Sequence, residues 1–264
     1  HMTLQPAFGR EKRRVVETGA MMARETQLAE VLHRFGTLGL GQASVPQSAA
    51  ARTLDSLRQR IISMDMPPDT VLSRTELAAE YHISQTPLRE ALQKLEGEGL
   101  VDIYPQSRTV VTRIDPTRIR EAHFLRIAVE TEVARRLAES ADASVISRLG
   151  TIISLQEALA ANPAELPAFQ ELDELFHQTM MIAAGQPGLY ALLRAQSGHL
   201  NRLRRLDLPG EGKIRHILAG HRAILAALTA HDPEAAQAAI RGHLSQTLGR
   251  LEQLRMQFPA FFSA

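Results

Sequence analysis

Between residues 50 and 114 the chain sets three helix signals and two strand signals in an order that few folds accommodate. Leu54, Leu57, Ile61 and Met64 form a helical stripe that Pro67-Pro68-Asp69 stops. Ser73-Arg74-Thr75-Glu76 has capping-box spacing, in which serine and glutamate satisfy free backbone donors at a helix start. The helix it opens carries Leu77 and Ala78 and is short, ending near Tyr81-His82. Ser84 is the cap for a third helix, whose first turn tolerates Pro87 because amides there lack intrahelical acceptors. Leu88, Ala91, Leu92 and Leu95 face inward on it, and Gly97 and Gly99 end it. Val101-Asp102-Ile103 and Thr109-Val110-Val111 then read as two short strands around Tyr104 to Arg108. Three helices followed by a hairpin, within about 65 residues, is the winged helix-turn-helix order.

A different regime starts at Asp115-Pro116, an N-cap followed by proline at the first helical position, and the device recurs at Asn162-Pro163 and Asp232-Pro233. The patterns behind these signals are helical, over 116–139, 143–161, 164–184, 188–206, 211–230 and 233–257, with no strand pattern. The expected fold class is mainly α, a winged helix-turn-helix followed by an all-α helical bundle. The expected division is a largely flexible extension over 1–47, with a candidate helical stretch near 20–35, a DNA-binding domain over 48–114 and a helical domain over 115–258. His1-Met2 has the look of a cloning remnant and is set aside.

Composition narrows the function classes. Among 264 residues there is no cysteine, so disulfides, thiolate metal sites and cysteine nucleophiles are excluded. No apolar run approaches the roughly 18 residues that span a bilayer, and the first residues lack a signal-peptide pattern, so a cytoplasmic protein is expected. The formal charge of +1 is not the footprint of a nucleic-acid binder, and DNA recognition has to rest on where the basic residues sit.

In a winged helix-turn-helix the second helix of the motif enters the major groove with its N-terminal residues at base edges and phosphates. Here those residues are Ser84, Gln85, Thr86 and, one turn on, Arg89. They supply hydroxyls and a helix N-terminus for phosphate, an amide that pairs with adenine, and a guanidinium for guanine or backbone. Arg74 and Thr75 begin the preceding helix, where backbone contacts are usual, and Arg108 sits at the wing tip. Spacing alone also allows a plain amphipathic helix with Arg89 and Glu90 on its solvated face.

In the second half, polar groups on apolar helix faces are conspicuous because burying them without partners is costly. Asp173 and His177 are an i, i+4 pair on the helix carrying Phe169, Phe176 and Met180. His221 shares a face with Ile217, Ile224, Leu225 and Leu228, and His243 shares one with Ile240, Leu244, Thr247 and Leu251. One carboxylate and three imidazoles suit a first-row divalent ion and leave positions for water or a carboxylate ligand. Each histidine alone is equally met as a satisfied core residue, and the pattern by itself leaves both readings open. Arg126 forms an i, i+4 pair with Glu130; it reads either as a surface salt bridge or as a cavity arginine gripping an effector carboxylate. Arg202 is a second candidate to grip an effector carboxylate. His199 and His216 read as surface or structural histidines.

The segment 57–114, with PP-x-T-x-LS-x-x-ELA and S-x-TP-x-REAL-x-x-L-x-x-EGL, resembles the winged helix-turn-helix of the GntR family of bacterial regulators. Asp69 stands where that family usually has glycine, Gln85 where it most often has arginine, and the wing Pro105-Gln106-Ser107-Arg108 lacks the customary glycine. Residues 119–250 resemble the FadR C-terminal ligand-binding (FCD) domain of FadR-type members, through LRIAVETEVARRLAE, ELDELFHQTMMIAAGQPGLYALL and HRAILAALTAHDPEAAQAAIRGHL. The resemblance implies a metal held by the Asp and His of D-x-x-x-H and two later histidines, which fall on Asp173, His177, His221 and His243, with zinc expected first and nickel or manganese suited to the same ligands. Arg126 also has a match in the family's first sensing helix.

What the resemblance implies is a homodimeric regulator, a repressor by the common arrangement, that reads a palindromic operator in double-stranded DNA. A small carboxylate metabolite at the metal site would control it. Two rivals remain: a structural metal with no effector, and a metal-dependent hydrolase. The second lacks a placed general base, since Glu174 adjoins Asp173 and points elsewhere on the helix, and it leaves the helix-turn-helix without a role.

Overall fold

The computed structural model describes residues 48–105, 107–210 and 212–263. The flexible extension expected over 1–47, with its helical stretch near 20–35, lies outside the described residues. Ser48 caps α1 (Ala49–Ile62) by accepting the Ala51 amide. After the proline turn come β1 (Val71–Leu72), α2 (Arg74–Glu80) and α3 (Gln85–Gly97), then the hairpin of β2 (Val101–Ile103) and β3 (Thr109–Val111). Ser73 does cap α2, its hydroxyl accepting the Glu76 amide, whereas Ser84 sits at the N-cap of α3 without a side-chain bond. The three strands are antiparallel in the order β1-β3-β2, with Val71 opposite Val110 and Ile103 opposite Thr109. Strand β1 was not expected; two residues are too short to show alternation.

Leu57, Ile61, Leu88, Leu92, Leu95 and Val111 form the core of this unit. Asp69 has φ +67°, in the left-handed region where glycine is at ease and aspartate is tolerated. Its carboxylate is held by Arg113, at 2.8 and 3.0 Å. The wing closes without a glycine: the Tyr104 amide donates to the Arg108 carbonyl and the Ser107 amide to the Tyr104 carbonyl.

The helical half comprises α4 (Pro116–Ser140), α5 (Ala143–Leu159), α6 (Leu166–Ala183), α7 (Pro187–Gln196), α8 (Gly198–Asp207), α9 (Lys213–Thr229), α10 (Pro233–Leu248) and α11 (Leu251–Gln257), with 3-10 turns at Pro163–Glu165 and Pro259–Phe261. Asp115 and Asp232 cap α4 and α10 through their carboxylates, and Asn162 caps the first 3-10 turn, each ahead of its proline. Two expected helices are broken. The helix over 188–206 divides at Ser197, whose hydroxyl bonds the Leu193 carbonyl and whose backbone leaves the helical region. The one over 233–257 divides at Gly249-Arg250, glycine being a poor helix former.

The bundle core joins α4, α5, α6, α9 and α10 through Leu137, Leu149, Ile152, Phe176, Ile224, Leu228 and Ile240. A second cluster of Ile114, Ile119, Leu200, Leu203, Leu254 and Phe262 fills the junction with the winged unit. There the chain end returns to pair with Ile114. No helix among the described residues is long and apolar enough to cross a membrane.

Candidate metal centre and nucleic-acid interface

Helix α6 brings Asp173 and His177 inward one turn apart, α9 brings His221 and α10 brings His243. One ligand atom from each lies within 4.8 Å of all the others. Asp173, His177 and His221 are buried and His243 is partly so. Gly220 permits the approach of α9 to α10, because a Cβ there would stand 2.5 Å from His243 Nδ1.

The ring orientations follow from partners on other helices. His177 Nδ1 lies 2.6 Å from Glu130 Oε2 on α4, so the carboxylate sits behind the ring and Nε2 faces the other ligands. His221 Nδ1 lies 2.8 Å from Gln156 Oε1 on α5, which likewise leaves Nε2 to face them. His177 Nε2 and His243 Nε2 are 3.3 Å apart, and His221 Nε2 comes within 3.5 Å of Asp173 Oδ1. His221 Nε2 and Asp173 Oδ1 are buried without a hydrogen-bond partner. Such orphaned atoms are expensive unless a cation joins them. The donor set and the outer partners on two of its imidazoles fit a divalent ion.

Electrostatics agree with a site kept in its ligating state. Burial pushes the Asp173 carboxyl upward, but the neighbouring charges, the Arg204 guanidinium first among them, outweigh it and hold it well below the usual carboxylate range. Burial pushes His221 down to about 3 and His243 well below its ordinary value, so both are neutral near pH 7. Glu130 is held far below its ordinary value, Arg126 and His177 overcoming its burial.

Three cations line a small cavity of about 20 Å³ beside Asp173 and His243: Arg126, Arg204 and Lys213. Arg126 Nε also donates to Glu130 Oε1 at 2.6 Å, and the pair is buried rather than on the helix surface. Arg204, on α8, pairs with Asp173 and with Glu174. Lys213 pairs with the buried Asp207 at 2.9 Å. Sequence reasoning missed Glu130 as the His177 partner, Gln156, Arg204 and Lys213; only the i, i+4 spacing of Arg126 and Glu130 gave any signal.

Arg202 corrects an expectation. It does not face this cavity but turns to the winged unit, fully buried, where it donates to the Thr112 carbonyl at 2.6 Å. Arg202 and Arg204 are two positions apart, about 200° around a helix, so only one of them can face the metal ligands. His199 joins Arg202, buried and not on the surface.

On the winged unit, Ser84, Gln85, Thr86 and Arg89 are exposed along the start of α3, and Thr75 is exposed at the start of α2. Gln85 Nε2 reaches the Arg74 carbonyl at 3.5 Å, and Arg74 reaches Thr109 Oγ1 at 3.3 Å, so the starts of both helices adjoin the wing base. Arg108 is exposed and lies over the Tyr104 ring, 5.1 Å from its centroid.

Residues 49–111 match the family described as bacterial regulatory proteins, gntR family, and residues 121–246 match the FCD domain. An HTH-type transcriptional regulator in an unstable DNA locus of Streptomyces ambofaciens is 36% identical over 207 residues, covering 78% of this chain and 86% of its own. The HTH-type transcriptional repressor RspR of Escherichia coli is 30% identical, covering 78% and 90%. Among solved structures, E. coli McbR/YncC shares the fold with a TM-score of 0.68 at 19% identity, covering 79% of this chain and 99% of its own.

Proposed function

Because the chain belongs to the gntR family of bacterial regulatory proteins and is a DNA-binding transcriptional regulator with an FCD domain, not an enzyme, we propose that it is a cytoplasmic, homodimeric repressor released or retained by a small organic acid at a metal centre. The observation that carries the reading is the meeting of Asp173, His177, His221 and His243, drawn from three helices, with two of the imidazoles oriented from behind by Glu130 and Gln156. Zinc suits the set first, and nickel or manganese would suit it too. The ion, when bound, supplies Lewis-acid attraction for a carboxylate oxygen.

The chain's own residues do the rest. Arg126, Arg204 and Lys213 would offer donors to the remaining oxygens of the acid. Domains of 48–114 and 115–258 would divide the work. In the first, Gln85 and Arg89 would read base edges, while Arg74, Thr75, Ser84 and Thr86 would hold phosphates and Arg108 would meet the groove beside the wing. Two such units related by a twofold axis would read a palindrome. A relative named as a repressor supports that sign of control.

The test is operator binding by fluorescence anisotropy with zinc-loaded and chelator-treated protein, titrated with small mono-, di- and tricarboxylates. At least one acid should change operator affinity by about 5–150-fold, the usual range of such coupling, in the zinc-loaded protein alone. Zinc binding with no response to any acid would assign the metal a purely structural role and overturn the sensing part of the reading.

A further inference from the structure

Helix α8 lies between the metal ligands and the base of the winged unit and touches both with different faces. Toward the metal ligands it sends Arg204, paired with Asp173 and Glu174. Toward the winged unit it sends His199 and Arg202, one turn apart. Arg202 donates to the Thr112 carbonyl at 2.6 Å and to Thr112 Oγ1 at 3.2 Å. His199 Nδ1 accepts the Asp115 amide at 2.9 Å, which puts the ring proton on Nε2, and Nε2 donates to the Gly99 carbonyl at 3.0 Å. Thr112 Oγ1 donates to that same carbonyl at 2.7 Å.

These few bonds join segments of distinct function. Gly99 is two residues past the end of α3, the groove-reading helix; Thr112 is where the chain leaves the wing; Asp115 caps the first helix of the sensing half. Gly198 packs against Leu100 so closely that a Cβ would stand 2.7 Å from Leu100 Cδ2. Glu98, the C-cap of α3, is gripped from α1 by both arms of Arg58, and Arg58 shares Asp55 with Arg194 of α7. The end of α3 is therefore held to the sensing half by hydrogen bonds, an ion-pair bridge and steric contact together. Burial pushes His199 down to about 3, with Arg202 adding to it, so the neutral ring that makes these bonds is the form present at ordinary pH.

We propose that His199 and Arg202 are positioning residues for DNA recognition, and that α8 makes the placement of α3 and the wing depend on the state of the metal site by way of Arg204. This rests on the reading of Asp173, His177, His221 and His243 as a metal centre. An α-helix is a short, stiff rod, and ten residues span about 15 Å. A change in how Asp173 holds Arg204 shifts the rod, and the far face of the rod carries the bonds to Gly99 and Thr112. The cluster is buried, and the terminal nitrogens of Arg202 are held by the neutral acceptors of Thr112 and His199 with no counter-ion, so it moves as a unit or breaks; it has little room to deform.

The test uses the full chain, zinc alone as probe, and hydrogen exchange of the backbone amides in 99–101 and 112–115. In the wild type, zinc should alter exchange in both segments. Arg202→Met keeps the apolar stem and removes the bonds; it should bind zinc within about threefold of wild type while the exchange response at 99–115 disappears. Thr112→Val, a milder change that leaves the stem of Arg202 packed, should diminish the response if Arg202→Met does not fold, and Arg202→Lys should restore part of it. A zinc response that persists undiminished in both Arg202→Met and Thr112→Val, or a wild type that binds zinc with no change at 99–115, would overturn the role of α8 while leaving the metal centre standing. Failure of the wild type to bind zinc at all would remove the metal reading first, and this inference with it.

Discussion

Replacing Arg126 with methionine isolates the buried charge that supports the metal centre. Arg126 Nε donates to Glu130 Oε1 at 2.6 Å, and the two side chains are 8% and 3% exposed. Methionine keeps much of the volume but leaves Glu130 facing His177 alone. Breaking one side of a buried ion pair costs about 3–5 kcal/mol, most of it the burden of the stranded charge; the surviving His177 contact places this case near the lower end. For a body of this size each kcal/mol lowers Tm by about 2–4 °C, so a fall of roughly 6–12 °C is expected.

The double variant Arg126→Met/Glu130→Gln removes the stranded charge and should recover most of that loss, whereas Glu130→Gln alone should weaken zinc binding about 10–100-fold by loosening His177. Urea and thermal unfolding followed by circular dichroism, in chelator at pH 7.5, supply the stabilities, and calorimetry supplies the zinc affinities. An Arg126→Met protein within about 1 kcal/mol of wild type, or a double variant whose losses simply add, would refute the reasoning that this is a desolvated, mutually dependent pair.

Gly198→Ala should destabilise the protein by about 1–3 kcal/mol through overpacking on Leu100, and pairing it with Leu100→Ala in a double-mutant cycle should reveal a coupling that additive losses would disprove. His199 is held near 3 against an ordinary 6.5, so below about pH 6.5 the unfolded chain takes up a proton that the folded chain refuses, and stability present above that pH is lost toward pH 3 by up to about 1.4 kcal/mol per unit. His199→Gln should flatten that part of the stability profile by one proton; an unchanged slope would contradict the assignment. Asp69→Gly should be nearly neutral in thermal unfolding, since relief of the left-handed backbone, about 1 kcal/mol, is offset by losing the exposed pair with Arg113; a loss above about 2 kcal/mol would show that pair to be worth more than its exposure allows.

Much of the frame was legible because it is written in local chemistry. Asp115, Asn162 and Asp232 each precede a proline and each cap the following turn, and the stripe Leu88, Ala91, Leu92, Leu95 buries as its spacing requires. Asp173, His177, His221 and His243 stood out because each shares a face with large apolar residues, and the four do meet.

The helix α8 was not legible in the same way. Residues 198–203 are buried all round, so periodicity gives no stripe from which to tell that Arg202 faces the wing and Arg204 the metal ligands. Glu130 and Gln156 reach the imidazoles from other helices, through contacts that no spacing within one helix encodes. The breaks at Ser197 and Gly249 lie inside patterns that run on helically across them.

The convergence of the three helices on one ion is tested most directly by X-ray absorption spectroscopy of the zinc-loaded protein. The geometry predicts one ion per chain, with scattering from three imidazoles and a carboxylate oxygen at about 2.0–2.2 Å, and loss of one imidazole in His221→Ala. A shell with fewer than two imidazoles, or one that His221→Ala leaves unchanged, would contradict it.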